Sequence, residues 1–335
     1  MKILSAYSPD YLKSVFSIIR MLPSLHIGSK NYHSLFPRKA GVILYITNRC
    51  NSRCVMCNHW KQYPKQDLSV KVIESLFNSH SVNKDGFLIE GGEGLLHPHF
   101  KEIMELFKGK RFTLLTNGVL TDRLLNLVKD YKIPSVSISL DGPPSTYKRI
   151  RGIDAYNDVL KTIELLRDKT NLAICITLMP WNTYEDYVHI KKICAERNLR
   201  LLPNIFSKME FMGAKEKEDL IDVRFEKIDD TYVNLYNDWV EGKLVIPCFS
   251  MRFLTIIRPN GDVVLCQYKD IVLGNLYERA FGDIWNDEKT KSIQKAQRFC
   301  NNCWVSSHRA FDMKFTLLLK KILPLNLFNK FINIL

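Results

Sequence analysis

The stretch VILYITNRCNSRCVMCNHW, Val42 to Trp60, follows a β-branched, strand-like run with three cysteines, Cys50, Cys54 and Cys57, inside eight residues. Soft thiolates at this spacing suit zinc or an iron–sulfur cluster. Three of them fall one short of closing a tetrahedral site, so whatever they hold either recruits a fourth ligand or keeps one position open. His59 is the near candidate for a Cys3His zinc site, and a cubane with one bare iron is the alternative. Spacing alone leaves both standing.

Outward from this stretch a rhythm runs along the chain. Strand-like runs at 42–47, 86–90, 111–116, 135–140, 172–178 and 201–206 alternate with helical patterns near 69–79, 99–108, 121–131, 155–168 and 184–197. Ser69 and Thr183 stand where N-caps belong, and Thr121-Asp122 opens another helix. Strands separated by helices predict an α/β fold with a parallel sheet, curled by right-handed crossovers into an open barrel or a doubly wound sheet. Both architectures gather ligands at the carboxyl ends of strands, and the three cysteines follow the first such end.

Residues 1–40 read as a helical lead-in, with Leu12, Val15, Phe16, Ile19 and Leu22 at helical spacing. Residues 41–207 carry the strand–helix alternation. After it, 208–245 reads as a linker built on a long helix around 216–241. Residues 246–312 read as a small unit whose strands Phe253–Arg258 and Val263–Gln267 are joined by PNGD, a strong hairpin turn. The tail, 313–335, is basic and amphipathic, with Phe315, Leu318, Leu319 and Ile322 on one stripe.

The 335 residues carry a formal charge of +13 and nine cysteines. That charge suits nucleic acid, anionic lipid or an acidic protein, and does not choose among them. The lysines are dispersed and no RNA-binding signature is present, so no nucleic-acid partner is expected. An odd cysteine count at uneven spacing, with no cleavable leader ahead of it, predicts a reducing cytoplasm. No run of about 20 apolar residues predicts a membrane span. The tail nonetheless raises peripheral membrane contact, and with it a lipid-linked substrate.

Cys50, Cys54 and Cys57 after strand one resemble the signature of the radical S-adenosylmethionine (radical SAM) superfamily. EGGEGLLHP (Glu90–Pro98) is similar to that family's Gly-Gly-Glu stretch and LLTNG (Leu114–Gly118) to its third-strand end. SISLDGPPSTYKRIRG (Ser137–Gly152) resembles its fourth-strand Ser-x-Asp-Gly followed by Arg-Gly. Gly94 replaces the usual proline, and Met56 stands where an aromatic residue is common.

The resemblance spans residues 40–206 and implies a partial (β/α)6 TIM-type barrel. It further implies a 4Fe–4S cluster on the three cysteines, S-adenosylmethionine on its fourth iron, and reductive cleavage to a 5′-deoxyadenosyl radical that abstracts hydrogen from a substrate. It assigns S-adenosylmethionine contacts to Gly91 and Gly92 (close backbone approach), Glu93, Asn117, Ser139 and Arg151 (a partner for the carboxylate). A flavodoxin or ferredoxin is the implied electron donor.

Cys248, Cys266, Cys300 and Cys303, with GNLYERAFGDIW (Gly274–Trp285) before the last pair, resemble the C-terminal module of the SPASM/twitch branch. Four cysteines imply the shorter twitch form and one auxiliary 4Fe–4S cluster; a four-cysteine zinc site is the alternative, and His308 a candidate replacement ligand. A fully ligated auxiliary cluster favours electron transfer. The implied activity is oxidation or isomerisation of a small polyol, amino sugar or sugar derivative. The alternatives are modification of a ribosomal peptide and a non-catalytic iron–sulfur redox protein. Cys175, in the fifth strand, is the candidate hydrogen donor for an isomerase, with core packing as its other reading. Cys194 reads as core.

Overall fold

The computed structural model describes residues 39–313 and 317, apart from 181, 208–223, 247, 249, 298, 299 and 311. The lead-in, the first part of the linker helix and nearly all of the tail lie outside the described residues.

The aliphatic run Ala40–Tyr45 forms β1, buried on both faces as a central parallel strand requires. Five further strands run parallel to it in succession: β2 (Val82–Glu90), β3 (Phe112–Thr116), β4 (Ser135–Ser139), β5 (Asn171–Leu178) and β6 (Arg200–Ile205). Between them lie α1 (Val70–Asn78), α2 (Phe100–Phe107), α3 (Thr121–Tyr131), α4 (Pro144–Arg151), α5 (Tyr156–Leu166) and α6 (Tyr184–Glu196). Helix α4 falls where the sequence pattern predicts no helix; Pro143 and Pro144 sit at its N-cap and first position, where a missing N–H costs nothing.

Each helix turns an apolar stripe to the sheet; in α2 Phe100, Ile103, Met104 and Phe107 are buried at the i, i+3, i+4, i+7 spacing. They meet Val42, Leu44, Ile46, Ile89, Leu114, Val136, Ile138, Ile174 and Ile176 on one face of the sheet. Alternate residues face the other way. Ile43, Tyr45, Ile256 and Val264 form a small apolar patch there, with Leu88 and Leu254 against it. Farther along that inner face Ser139 and Thr177 are only partly buried.

Past the linker, α7 (Thr231–Val240) leads to β7 (Leu254–Ile257), β8 (Asp262–Val264) and β9 (Val272–Asn275), then α8 (Phe281–Trp285) and α9 (Glu288–Ala296). The predicted hairpin is β7–β8. The unit does not stand apart, since β7 adds to β1 in parallel, with Gly41 opposite Leu254 and Leu44 opposite Ile257. One nine-stranded sheet results, in the order β6-β5-β4-β3-β2-β1-β7-β8-β9, and it does not close into a barrel. The first cysteine loop therefore leaves the sheet between β2 and β7.

Of the expected caps, Thr183 forms a full capping box with Asp186, while Ser69 caps α1 without a side-chain hydrogen bond. Thr183→Ala should cost about 1 kcal/mol, measured as a shift of the unfolding midpoint. No helix among the described residues is long and apolar enough to cross a membrane.

Candidate metal centres at the strand ends

Beyond β1 the chain carries its cysteines in a loop clamped from two sides. On one side Gly92 N donates to Thr47 O (2.8 Å) and Glu93 N to Arg49 O (2.7 Å); on the other Arg53 N donates to Arg151 O (2.8 Å) and Val55 N to Ile150 O (2.9 Å). The contact faces are glycines. A Cβ on Gly92 would lie 2.2 Å from Arg49 O, and one on Gly152, at φ +66°, 2.6 Å from Arg53 O. No side chain fits at either place. Gly91 and Gly92 both pack closely against backbone of the segment that leads into the cysteine loop.

Inside this clamp Cys54 is buried and Cys50 and Cys57 are half-buried. Burial pushes the Cys50 thiol up to about 11 and Cys57 up to about 12, and each also feels its neighbouring thiols. Three mutually opposed thiols need a cation to ionise together, which an iron–sulfur cluster provides. Ser52 N donates to Cys50 Sγ (3.4 Å) and Arg151 Nη1 to Cys54 Sγ (3.7 Å), contacts that favour thiolates. Among the described residues no three His, Cys, Asp or Glu side chains converge on a single ion. A cubane spreads its thiolates over separate irons and needs no such convergence. The ring of His59 is instead buried and stacked on Tyr45 (centroids 4.9 Å apart).

The other motif residues lock neighbouring strand ends to this loop. Glu93 is buried and accepts from Leu95 N (3.2 Å), Thr116 Oγ1 (3.0 Å) and Asn117 N (2.8 Å); burial raises its carboxyl nonetheless. Asn117 Nδ2 donates to Asn51 Oδ1 (2.7 Å) and Ser52 Oγ (3.0 Å). Arg151 Nε pairs with Asp141 Oδ2 (2.5 Å), and both groups are buried. The sequence predicts no such partner for Arg151, although Asp141 stands in the quoted fourth-strand motif. Asp141 Oδ1 in turn takes Thr177 N (2.8 Å). Ser139 lies opposite Cys175 in the β4–β5 register. Cys175 is buried with its thiol pushed up to about 12 by burial, despite a hydrogen bond from Ser137. Cys194 packs in the main core.

The second set of cysteines also assembles. Cys248 N donates to Cys300 O (2.9 Å) and Tyr268 N to Cys266 Sγ (3.3 Å). Burial drives Cys303 up to about 12, with Cys266 and Cys300 adding to the rise, and raises Cys248, on which Cys303 acts. Cys248, Cys266, Cys300 and Cys303 therefore lie in one neighbourhood of the second module. His308 is placed against the replacement-ligand reading: Nδ1 bonds Ser250 Oγ (2.9 Å) and Nε2 accepts from Gln267 N (3.4 Å), so both ring nitrogens are occupied.

A buried polar bridge joins the two centres. Gln267, next to Cys266, donates from Nε2 to Tyr45 Oη (2.7 Å) and to Glu90 Oε1 (3.1 Å), while Ser307 Oγ donates to its Oε1. Burial pushes the Glu90 carboxyl up to about 7, against the pull of hydrogen bonds from Tyr45 and Gln267. A carboxyl raised in the folded state contributes stability below its unfolded pKa, lost as pH rises through the folded value. Glu90→Gln should remove that dependence: thermal unfolding at rising pH should show wild type losing roughly 3 kcal/mol relative to the variant between about pH 4.5 and about pH 8.

A family model described as the radical SAM superfamily matches residues 44–194. A second, SPASM, described as an iron–sulfur cluster-binding domain, matches residues 248–304. The chain belongs to the radical SAM superfamily. That membership makes it an enzyme and removes the electron-carrier alternative. A radical SAM module followed by SPASM implies a 4Fe–4S cluster that binds S-adenosylmethionine, together with auxiliary clusters.

Among its relatives is a probable GTP 3′,8-cyclase of Methanocaldococcus jannaschii, 29% identical over 178 residues, covering 50% of this chain and 54% of the cyclase. The chain thus spans about half the length of that relative. The sporulation killing factor maturation protein SkfB of Bacillus subtilis is 23% identical over 277 residues, covering 77% of this chain and 67% of SkfB. The fold is shared with Streptococcus suis SuiB, crystallised with its precursor peptide SuiA (TM-score 0.61, 15% identity, covering 85% of this chain and 79% of SuiB).

Proposed function

We propose that this radical SAM enzyme oxidises a carbon bearing a hydroxyl or amino group in a small polyol, amino sugar or sugar derivative. The first cluster with S-adenosylmethionine supplies a 5′-deoxyadenosyl radical, and the auxiliary cluster supplies a one-electron acceptor. The observation behind this reading is the polar stretch of the inner sheet face: Tyr45, Glu90, Ser137, Ser139, Cys175 and Thr177. Hydroxyls and a carboxyl at strand ends suit a substrate recognised through its own hydroxyls. The charge of +13 favours an acidic low-potential donor of the flavodoxin or ferredoxin type.

The test is anaerobic incubation of reconstituted protein with S-adenosylmethionine, a reductant and each of three probes: scyllo-inositol, glucosamine and a serine-containing peptide. Deuterium at the carbinol carbon should appear in 5′-deoxyadenosine, and the product should be two hydrogens lighter. Isomerisation would instead return a protium from Cys175, so that the product differs from the deuterated probe by one deuterium-for-hydrogen exchange, and Cys175→Ala would abolish it. The similarity to SkfB across both modules favours a second reading, modification of a peptide. Deuterium transfer from the peptide alone would select it.

A further inference from the structure

Buried carboxyls cost stability unless they are paired or fully hydrogen-bonded. In this chain most of them have a fixed structural task. Asp141 is paired with Arg151, and Glu93 is held by two amides and a hydroxyl. Asp186 takes Thr183 N and Thr146 Oγ1, and Asp312 faces Arg309.

Glu90 differs from all of these. Its partners are the Tyr45 phenol and the Gln267 amide, both neutral, and it enters no ion pair among the described residues. It ends β2, opposite Tyr45 in register, directly before the Gly91-Gly92 contact with the first cysteine loop. Through Gln267 it also reaches the residue beside Cys266. On β5 the Cys175 thiol, on the same inner sheet face, lies near enough to Glu90 for the carboxyl to act on it. Gln267 has no freedom to swing away, because Ser307 holds its oxygen while its amide nitrogen serves Tyr45 and Glu90.

We propose that Glu90 is the proton acceptor of the reaction, taking the proton of the substrate hydroxyl or amine as the neighbouring carbon is oxidised. This rests on the oxidation reading above. In the step, the C–H hydrogen leaves as an atom to the 5′-deoxyadenosyl radical, and the O–H or N–H bond breaks with its proton passing to the Glu90 carboxylate. The remaining unpaired electron leaves to a one-electron iron–sulfur acceptor, and the C=O or C=N bond forms. Tyr45 and Gln267 act as positioning residues that aim the carboxylate. A group that burial holds near neutrality is matched to such a transfer.

The experiment uses the full chain with both clusters, in two arms. Without substrate, the infrared C=O band of a protonated carboxyl should disappear with a midpoint near neutral pH in wild type, and should be absent from Glu90→Gln. With the deuterated probe that wild type oxidises, Glu90→Gln should lower oxidised product by about 100-fold or more while deuterium transfer falls far less, and Glu90→Asp should recover part of the product. Product at the wild-type rate in Glu90→Gln overturns the proposal. So does deuterium transfer lost in step with product, or a wild-type carboxyl that titrates in the ordinary range. Absence of a lighter product from wild type with all three probes instead sinks the oxidation reading, and Glu90's role with it.

Discussion

Gly92→Ala is expected to strip the first cluster from the protein and leave the second in place. The added Cβ would sit 2.2 Å from Arg49 O and 2.8 Å from Arg49 C, both backbone atoms of the cysteine loop, so no rotamer relieves it. Overpacking against backbone costs about 1–3 kcal/mol or more, and the weakest yielding element is the loop rather than the core of β2. Displacing that loop separates Cys50, Cys54 and Cys57. Iron analysis should fall from about eight to about four atoms per chain, and 5′-deoxyadenosine release should drop below detection. Gly282→Ala is the control, because its Cβ would meet nothing closer than 3.7 Å. Retention of both clusters in Gly92→Ala would show that the glycine clamp does not hold the loop.

Arg151→Met should be the most destabilising single change at the site. It strands Asp141, which is fully buried, without its cation, and it removes the N–H donor to Cys54 Sγ. Removing one partner of a buried pair costs about 3–5 kcal/mol. The thermal midpoint should fall by roughly 5 °C. Changing Asp141→Asn in the same chain should restore part of the loss, since no unpaired buried charge then remains. A single variant within about 1 kcal/mol of wild type would mean that the pair is not closed in solution.

How far the chain could be read follows from distance along it. The strands and helices of the barrel segment came through because hydrophobic periodicity lies within a dozen residues; α4 did not, because Pro143-Pro144 reads equally as a turn or a helix start. The cysteines of the first loop are visible for the same local reason. Glu93 and Asn117 are visible as motif positions, yet their donors and acceptors, Thr116, Asn51 and Ser52, belong to two different strand ends and carry no signal of pairing. His308 looks available as a ligand until Ser250 and Gln267 are seen on its two nitrogens.

Residue order alone determined the three-thiolate loop after the first strand, the motifs at successive strand ends and, through them, the superfamily, because each is written in a few adjacent residues. Tertiary structure decided the rest. It hung the second cysteine module on β1 through β7, turned Arg151 to Asp141, and set Glu90 between a phenol and an amide. Those contacts join residues such as 44 and 257 or 90 and 267, and only the packing of the whole sheet brings them within hydrogen-bonding distance.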